Sequence, residues 1–408
     1  MRSRSFSFGW MAVFVLFSVS LSAAQTETIL HSFNNTDGNS PSAGVVFDAS
    51  GNLYGTTFYG GTLGDGTVYE LSPNGSGWTE TVLQSFNGFG GNWPTASLVL
   101  DSAGNLYGTT FFGGALGYGI AYELARSSGE DWTEVGLHGF SKSDKDATYP
   151  RSALVFDTDG NLYGTAPDGG AAGYGAVFQL TPNARGGWSE TLLHNFNNTA
   201  GGDPYGSLVF DTAGNLYGTA SVGGGSSSVC TFGCGTVFEL SPTQDGNWTM
   251  KVLHNFTKDS TDGNGPLAGL IIDSAGNLYG TTPQGGKYGF GIAFELTPVT
   301  GGWKETILHN FASNGVDGNS PSGPLARDSA GSLYGTTASG GAYDYGTVYK
   351  LVRTAHGWRE TILHSFNSAS ADGYQPYSGI VLDSSGNLYG TTESGGGYGY
   401  GTVFEVTP

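Results

Sequence analysis

Histidine and carboxylate side chains, which most often bind metal ions or transfer protons, recur at fixed places along this chain of 408 residues. Six of the seven histidines share one place in a repeated segment, and Gln84 fills the seventh. A residue present in nearly every copy of a repeat is first expected to hold the copies together. The pattern therefore predicts packing and hydrogen bonding rather than a metal ring. The six histidines are His31, His138, His194, His254, His309 and His364.

The glutamates that recur with the histidines do not single out a catalytic pair. A glycosidase needs two carboxyl groups roughly 5–10 Å apart with unequal pKa values, and seven similar segments give no reason to choose one pair. The sequence contains no G-x-S-x-G, no H-E-x-x-H and no phosphate loop. We assign no catalytic residue, and we favour a protein that is not an enzyme.

Asp-x-x-Gly-Asn turns recur in nearly every segment and offer oxygen atoms to a cation. Asp157-Thr158-Asp159-Gly160 comes nearest to a calcium loop, but it lacks the distal glutamate and the oxygen-rich spacing of such a site. We expect the aspartate to cap its own turn. No metal and no cofactor are predicted, with Ca²⁺ as the one open alternative.

The tetrapeptide Leu-Tyr-Gly-Thr sets the pitch at which all these residues recur. It occurs seven times, at intervals of about 55 residues, which indicates one supersecondary unit copied along the chain. Its tyrosines are Tyr54, Tyr107, Tyr163, Tyr217, Tyr279, Tyr334 and Tyr389.

Each unit contains four short segments of β character, separated by turn residues. In the first unit these are Ala43–Asp48, Asn52–Thr57, Gly66–Leu71 and Trp78–Phe86. Four-stranded antiparallel units in tandem are the blades of a propeller. We therefore predict an all-β fold, a seven-bladed β-propeller that forms one domain over residues 25–408.

The order of the segments predicts how the ring closes. Residues 25–33 form a fourth segment without its three predecessors, and the chain ends with the first three segments of a last unit. The N-terminal strand should therefore be the outer strand of the C-terminal blade. Such a closed ring has no open sheet edges, and we expect a monomer.

Residues 1–24 have the features of a secretory signal peptide. Arg2 and Arg4 precede an apolar stretch, and Ser22-Ala23-Ala24 supplies small residues before a cut at Gln25. We predict a secreted or periplasmic protein without a membrane span. Removal of the signal peptide would change the net charge of the chain from −19 to −21. Such an acidic protein is not expected to bind nucleic acid. In an exported protein, Cys230 and Cys234, the only cysteines, should form a disulfide in the one expanded unit.

The loops between strands two and three and between strands four and one should emerge on one face of the propeller. An aromatic rosette or residues that break the repeat could bind a ligand there. The aromatic position is Asp65 in the first unit and a cysteine loop in the fourth. Tentative ligand-binding residues are Asp65, Trp93, Tyr118, Arg151, Tyr174, Phe290, Arg327, Tyr345 and Tyr400.

The repeats resemble two known families. A double glycine, a tyrosine and a tryptophan in that order, as in Gly60, Gly61, Tyr69 and Trp78, resemble the kelch repeat. The pattern GNLYGTT…GG…GTVFELTP…W.ETVLHSF is closer to the GloVer-type tandem repeat of bacterial exported proteins. This resemblance covers nearly all of residues 25–408 and implies export and a propeller-like fold, but no catalytic residues.

Three functions remain open. The protein is a non-catalytic scaffold that binds a glycan or a protein, a hydrolase or lyase acting on a polysaccharide or lactone, or a structural component of the envelope or matrix. An enzyme should show clustered polar residues with perturbed pKa values in the central funnel. A binding protein should show an exposed aromatic platform without such a cluster, and a structural protein should show neither feature.

Overall fold

Each copy of the repeat folds into a four-stranded antiparallel sheet in the computed structural model of this chain. The structure describes residues 26–75, 77–126, 131–184, 186–225, 230–257, 261–369 and 371–408, and these residues form no helix. The seven sheets are the blades of a β-propeller, and we count the strands of each blade from one to four in the order in which they pair. The predicted all-β seven-bladed propeller is confirmed.

The strand bounds repeat closely from blade to blade. First strands are Val46–Phe47, Val99–Leu100, Val155–Phe156, Val209–Phe210, Ile271–Ile272, Ala326–Arg327 and Val381–Leu382. Second strands are Leu53–Thr57, Leu106–Thr110, Leu162–Ala166, Leu216–Ala220, Leu278–Thr282, Leu333–Thr337 and Leu388–Thr392. Third strands are Thr67–Pro73, Ile120–Arg126, Ala176–Pro182, Thr236–Pro242, Ile292–Val299, Thr347–Thr354 and Thr402–Thr407. Fourth strands are Trp78–Ser85, Trp132–Gly139, Trp188–Asn195, Trp248–Asn255, Gly302–Asn310, Gly357–Ser365 and, for blade seven, Thr26–Ser32.

The ring closes as the order of the segments predicts. Thr26–Ser32 pairs antiparallel with Thr402–Thr407, so that the first described strand is the fourth strand of blade seven. Phe33, which follows this strand, is completely buried in a cluster that joins residues of blades one and seven. The same type of cluster lies between neighbouring blades all round the ring, so the core is divided among the seven interfaces between blades.

The threonine of the Leu-Tyr-Gly-Thr motif joins each blade to the next. In all seven copies its hydroxyl donates a hydrogen bond of 2.6–3.3 Å to a backbone carbonyl just before the next blade's first strand. The bond from Thr391 to the carbonyl of Ala43 joins the last blade to the first. These bonds help to explain why the first strands contain only two paired residues instead of the predicted six: the carbonyl at the start of each segment bonds to a side chain of the preceding blade.

The other motif residues act within the blade. Each leucine is completely buried, and each tyrosine hydroxyl donates a hydrogen bond of 2.9–3.3 Å to the aspartate of its Asp-x-x-Gly turn. Each glycine leaves room for the aromatic ring of strand three, because an added Cβ would come within 2.3–2.7 Å of that ring or its hydroxyl. The motif therefore supplies core packing, a hydrogen bond that holds the turn to the strand, and the contact between blades.

The loops between strands two and three and between strands four and one lie on one face, as predicted. In four blades they pair with each other in two-residue ladders, and isolated bridges join them in the other three. The ladders are Ala147–Thr148 with Asp168–Gly169, Gly263–Asn264 with Gln284–Gly285, Gly318–Asn319 with Ser339–Gly340, and Gly373–Tyr374 with Ser394–Gly395. We call this surface the loop face.

The predicted disulfide is present: Cys230 and Cys234 are joined in the expanded unit. The described residues include no helix long and apolar enough to cross a membrane. The predicted signal peptide at residues 1–24 lies outside the described residues.

Candidate functional site

A proline stands at the same place in every blade, just before the first strand and on the loop face. The residue before it has a left-handed φ between +50° and +65° in all seven blades, although only one of the seven is a glycine. Such a backbone conformation costs on the order of 1–3 kcal/mol in other residues and is frequent at functional sites. The seven residues are Ser40, Trp93, Tyr149, Asp203, Gly265, Ser320 and Gln375.

A backbone hydrogen bond holds each of these residues to the preceding blade. The amide of the residue before proline donates to a carbonyl in the loop between strands two and three of that blade, at 2.8–3.0 Å in all seven cases. The acceptors are Tyr400, Asp65, Tyr118, Tyr174, Cys234, Phe290 and Tyr345. The predicted aromatic position of the loop face is therefore also a backbone contact between blades.

The residue after each proline points to the centre of the ring. All seven of these residues line one narrow cavity of about 120 Å³, together with the first-strand segments that follow them. We call it the channel cavity. The seven residues are Ser42, Thr95, Arg151, Tyr205, Leu267, Ser322 and Tyr377, so the channel presents one variable side chain from every blade.

A wider cavity of about 390 Å³ shares several of these residues, and we call it the mouth cavity. It is lined by Ser42, Phe58, Tyr59, Thr95, Arg151, Tyr205, Tyr377 and Glu393. The lining is unequal around the ring, with the aromatic pair Phe58 and Tyr59 from blade one and the carboxyl group of Glu393 from blade seven. Arg151 is the one cationic side chain that lines it.

Aromatic rings hold the Arg151 guanidinium at the mouth. Its Cζ lies 3.9 Å from the centroid of the Phe111 ring and 5.7 Å from that of Tyr205, within the range of cation–π attraction. The Arg151 Nε is buried and has no hydrogen-bond partner among the described residues. A ligand oxygen at this point would satisfy that donor.

A belt of aromatic rings extends from the mouth across blades one to three. Phe58 and Trp93 are stacked with centroids 5.3 Å apart, and Trp93 lies edge-on to Phe112 at 5.1 Å. Phe112 in turn contacts Tyr149 at 4.9 Å. The belt consists of Phe58, Tyr59, Trp93, Phe111, Phe112, Tyr118 and Tyr149.

Carboxyl groups near the belt have raised pKa values. Burial raises the pKa of Glu393 in the mouth cavity. Burial also raises the pKa of Asp168 and Asp203, with nearby Arg151 opposing the shift at Asp168 and nearby Asp168 adding to it at Asp203. The loop face therefore has both features by which we distinguish function, an aromatic platform and polar groups with perturbed pKa values.

The structure brings together three of the nine predicted ligand-binding residues. Arg151 lines both cavities, Trp93 stacks on Phe58 of the mouth, and Tyr118 contacts Tyr149 at the end of the belt. Five others lie outside the channel cavity, the mouth cavity and the belt. Their backbone carbonyls make the contact between blades described above, and they are Asp65, Tyr174, Phe290, Tyr345 and Tyr400. Arg327 lies at the end of its first strand that leads into the Asp-x-x-Gly turn, away from the loop face. It is paired with Leu333 and lies close to Gly331 of the turn.

Tyr205 and Tyr377 are mouth residues that the sequence prediction did not include. The proline of each repeat would have indicated both, since they directly follow Pro204 and Pro376. Glu393 follows the second strand, at the place that Phe58 occupies in blade one.

The repeat pattern itself identifies the family of this chain. The family model of the Gloeobacter/Verrucomicrobia repeat matches residues 11–232 and 226–408. The chain belongs to this repeat family. No curated protein matches the chain.

Solved structures with low sequence identity share the fold of this member of the repeat family. One is the extracellular domain of a protein assigned as a hybrid two-component system from B. thetaiotaomicron, with 14% identity and a TM-score of 0.57. That match covers 93% of this chain, and this chain spans 39% of the length of that one. Another is a protein assigned as a 6-phosphogluconolactonase from Bacteroides uniformis, with 14% identity, a TM-score of 0.51 and coverage of 83% of this chain and 88% of that one. At this identity the similarity concerns the fold alone.

In this repeat protein the histidines of strand four mark a second set of clusters, and these histidines line neither the channel cavity nor the mouth cavity. A β-bulge just before each histidine turns the preceding residue out of register, which directs the imidazole to the interface with the next blade. In five of the seven interfaces the histidine meets an aspartate of the following loop and a glutamate from the next blade's fourth strand. These seam clusters are His31–Asp37–Glu80, His138–Asp146–Glu190, His254–Asp262–Glu305, His309–Asp317–Glu360 and His364–Asp372–Glu27.

The histidines lie at different interfaces, as the sequence predicts, but five of the six belong to clusters of three residues. His138 Nε2 lies 3.1 Å from Asp146 Oδ1 and 3.7 Å from Glu190 Oε2. Burial and the neighbouring Asp146 raise the pKa of Glu190 well above its ordinary value. The sequence prediction of hydrogen bonding at the histidines did not include the carboxyl groups that meet them.

The Asp-x-x-Gly-Asn turns use their carboxylates locally. Asp157 Oδ1 accepts hydrogen bonds from the amides of Asp159 and Asn161, and its Oδ2 accepts from the Asn161 side chain and the Tyr163 hydroxyl. These bonds stabilise the ionised carboxylate and hold the pKa of Asp157 below its usual value although burial opposes them. Both oxygens thus have partners within the turn and strand.

Glu134 provides a test of how burial at an interface affects stability, because Gln84 stands opposite it in place of histidine. Burial raises the pKa of Glu134 to about 7, and its hydrogen bond with Gln84 opposes this. A raised carboxyl pKa contributes stability below the unfolded pKa of 4.5, and the contribution is lost as the pH rises through about 7. We expect Glu134→Gln to leave stability unchanged at pH 4.5 and to increase it by about 1–2 kcal/mol at pH 8, a value reduced for partial exposure. Urea unfolding at both pH values measures this, and a difference independent of pH would contradict it.

Proposed function

We propose that this protein is an exported propeller that binds a glycan at the mouth cavity without catalysing a reaction. The observation that supports this most is the mouth itself, where the Arg151 guanidinium and the Glu393 carboxyl group face a cavity edged by the aromatic belt. Sugar rings stack on aromatic faces, while a few convergent polar groups fix their orientation. The five post-proline side chains that line the mouth would then determine which glycan fits.

Charge supports an uncharged partner. With a formal net charge of −19 for the whole chain, the protein repels nucleic acid and other polyanions. Within the mouth, Arg151 and Glu393 offset each other and provide one cationic donor and one acceptor. Such a pair suits the hydroxyl groups of a neutral sugar.

Export is supported by two features. The disulfide between Cys230 and Cys234 is of a kind that persists in oxidising compartments, and residues 1–24 have the composition of a signal peptide. We infer that the propeller functions in the periplasm or outside the cell.

A second candidate is a hydrolase or lyase that acts on a polysaccharide or a lactone. Glu393 favours it, because a carboxyl group with a raised pKa in a cavity is what a general acid requires. Tyr377, whose own pKa is raised by burial and by Glu393, lines the same cavity. In this case Glu393 would donate the proton to the leaving group.

A glycan array and a turnover assay on residues 25–408 separate the two candidates. We expect binding without release of product, and a loss of affinity of tenfold or more in Arg151→Ser, which places the serine of blades one and six at this position. Arg359→Thr is the matched control: it removes an exposed arginine from an outer strand, where most other blades have threonine or serine, and should bind as the parent does. Turnover that Glu393→Gln abolishes would overturn the non-catalytic proposal and establish the second candidate.

A further inference from the structure

We propose that the five seam clusters bind divalent transition-metal ions, with Zn²⁺ as the probe, and that each ion links two neighbouring blades. Every cluster takes one histidine and one aspartate from one side of a blade interface and one glutamate from the next blade. An ion held by all three would therefore bridge the interface on the outer side of the ring. This inference does not depend on the proposed glycan site.

The spacing of the donor atoms fits such an ion. In the cluster of His309, Asp317 and Glu360, the imidazole Nε2 lies 3.1 Å from an Asp317 oxygen and 3.5 Å from a Glu360 oxygen. Zinc bonds to nitrogen and oxygen of about 2.0–2.2 Å at tetrahedral angles keep ligand atoms roughly 3.4 Å apart. In every cluster the three donor atoms lie within 4.8 Å of one another.

Unsatisfied oxygens face these clusters. Asp317 is 7% exposed, and its Oδ1 is buried without a hydrogen-bond partner among the described residues. Glu360 Oε1 and Glu80 Oε1 are likewise buried atoms without a hydrogen-bond partner among the described residues. A buried acceptor without a partner is costly, and a bound cation would remove that cost.

The type and charge of the donors favour a transition metal over calcium or magnesium. Imidazole nitrogen with carboxylate oxygen suits zinc and its neighbours, whereas Ca²⁺ and Mg²⁺ prefer oxygen ligands alone. Once both carboxyl groups are ionised and the imidazole is neutral, as metal ligation requires, the three donors carry a charge of −2, which one divalent ion would neutralise. Solvent reaches the cluster through a cleft of about 680 Å³ that His309 and Asp317 line together with Lys287 and Tyr288.

The two remaining interfaces lack two of the three donors each. Gln84 and Gly90 stand at one where the others have histidine and aspartate, and Glu134 remains. At the other, Ala200 and Met250 replace the aspartate and the glutamate, and His194 remains. Each interface therefore has either all three donors or only one, and none has two. This is the pattern expected of sites that work only when complete.

Zinc stoichiometry tests the proposal and uses the chain's own substitutions. We expect tag-free residues 25–408, stripped with a chelator and then dialysed against dilute Zn²⁺, to retain about five ions per chain by elemental analysis and to melt at a higher temperature than the stripped protein. The variants His309→Gln and Glu360→Met should each retain one ion fewer. They introduce the residues that the incomplete interfaces have at the equivalent positions, Gln84 and Met250. His194→Gln is the matched control and should retain the full number, and Mg²⁺ should not replace Zn²⁺ in raising the melting temperature.

Two outcomes would overturn the proposal. One is a folded parent that retains no zinc. The other is an unchanged number of ions in a variant in which His31, His138, His254, His309 and His364 are all replaced by glutamine. Circular dichroism of each variant establishes that it is folded, and glutamine already occupies this position in blade one.

Discussion

A chain that begins at Asn34, without the strand Thr26–Ser32 and without Phe33, should lose the cooperative unfolding transition of a chain that begins at Gln25. The truncation leaves Thr402–Thr407 as an unpaired edge and removes the completely buried Phe33 ring, which packs edge-on to Tyr69 at 5.0 Å. Loss of a buried phenylalanine side chain alone costs about 3–5 kcal/mol. Because whole domains are stable by only about 5–15 kcal/mol, we expect little residual stability.

Thermal unfolding followed by circular dichroism measures the loss, and a peptide supplies the control. A synthetic peptide of residues 25–34 should restore the transition when it is added to the truncated chain, since it can occupy the empty edge. A peptide of the same composition in scrambled order should not. If the truncated chain melts at the temperature of the longer one, the closing strand does not stabilise the ring.

The sequence alone predicts this closure because it depends on pattern rather than on contacts. Seven copies of Leu-Tyr-Gly-Thr determine the number of blades, and the position of Thr26–Phe33 relative to the first copy identifies its blade. The fold is thus predictable to the level of strand order. The length of the first strands is not, because a side chain of the neighbouring blade, such as Thr391 at Ala43, takes up the backbone carbonyl there.

The candidate sites are less predictable because they assemble residues from different blades. Arg151 is visible in the sequence as a residue that breaks the repeat, but its position over the Phe111 ring depends on how blades two and three pack. The seam clusters cannot be predicted from the repeat pattern for the same reason. His309 and Asp317 are close in sequence, whereas Glu360 comes from the next blade, so repetition alone makes all three residues look like ordinary repeat positions.

Gly164→Ala should lower the free energy of unfolding by about 1–3 kcal/mol, the usual cost of overpacking a core. A Cβ at this motif glycine would lie 2.5 Å from Cζ of Phe178 and 3.0 Å from a terminal carbon of Leu154. Both side chains are buried at the interface with the preceding blade, so neither can move aside without disturbing that interface. Urea unfolding of the variant and the parent measures the difference.

A double substitution shows whether this clash is the cause. Phe178→Leu alone destabilises by leaving a cavity, but it also vacates the space that the methyl group introduced by Gly164→Ala needs. The two changes together should therefore cost less than the sum of the single changes, by about 0.5–3 kcal/mol. Gly136→Ala is the matched control, since an added Cβ at this strand-four glycine would have no atom within 4 Å, and we expect it to lie within about 0.5 kcal/mol of the parent. If the free-energy costs of the two single substitutions simply add, the clash with the Phe178 ring is not the cause. The glycine would then be required by the backbone, and only the leucine, tyrosine and threonine of the motif would contribute side-chain contacts to the blade.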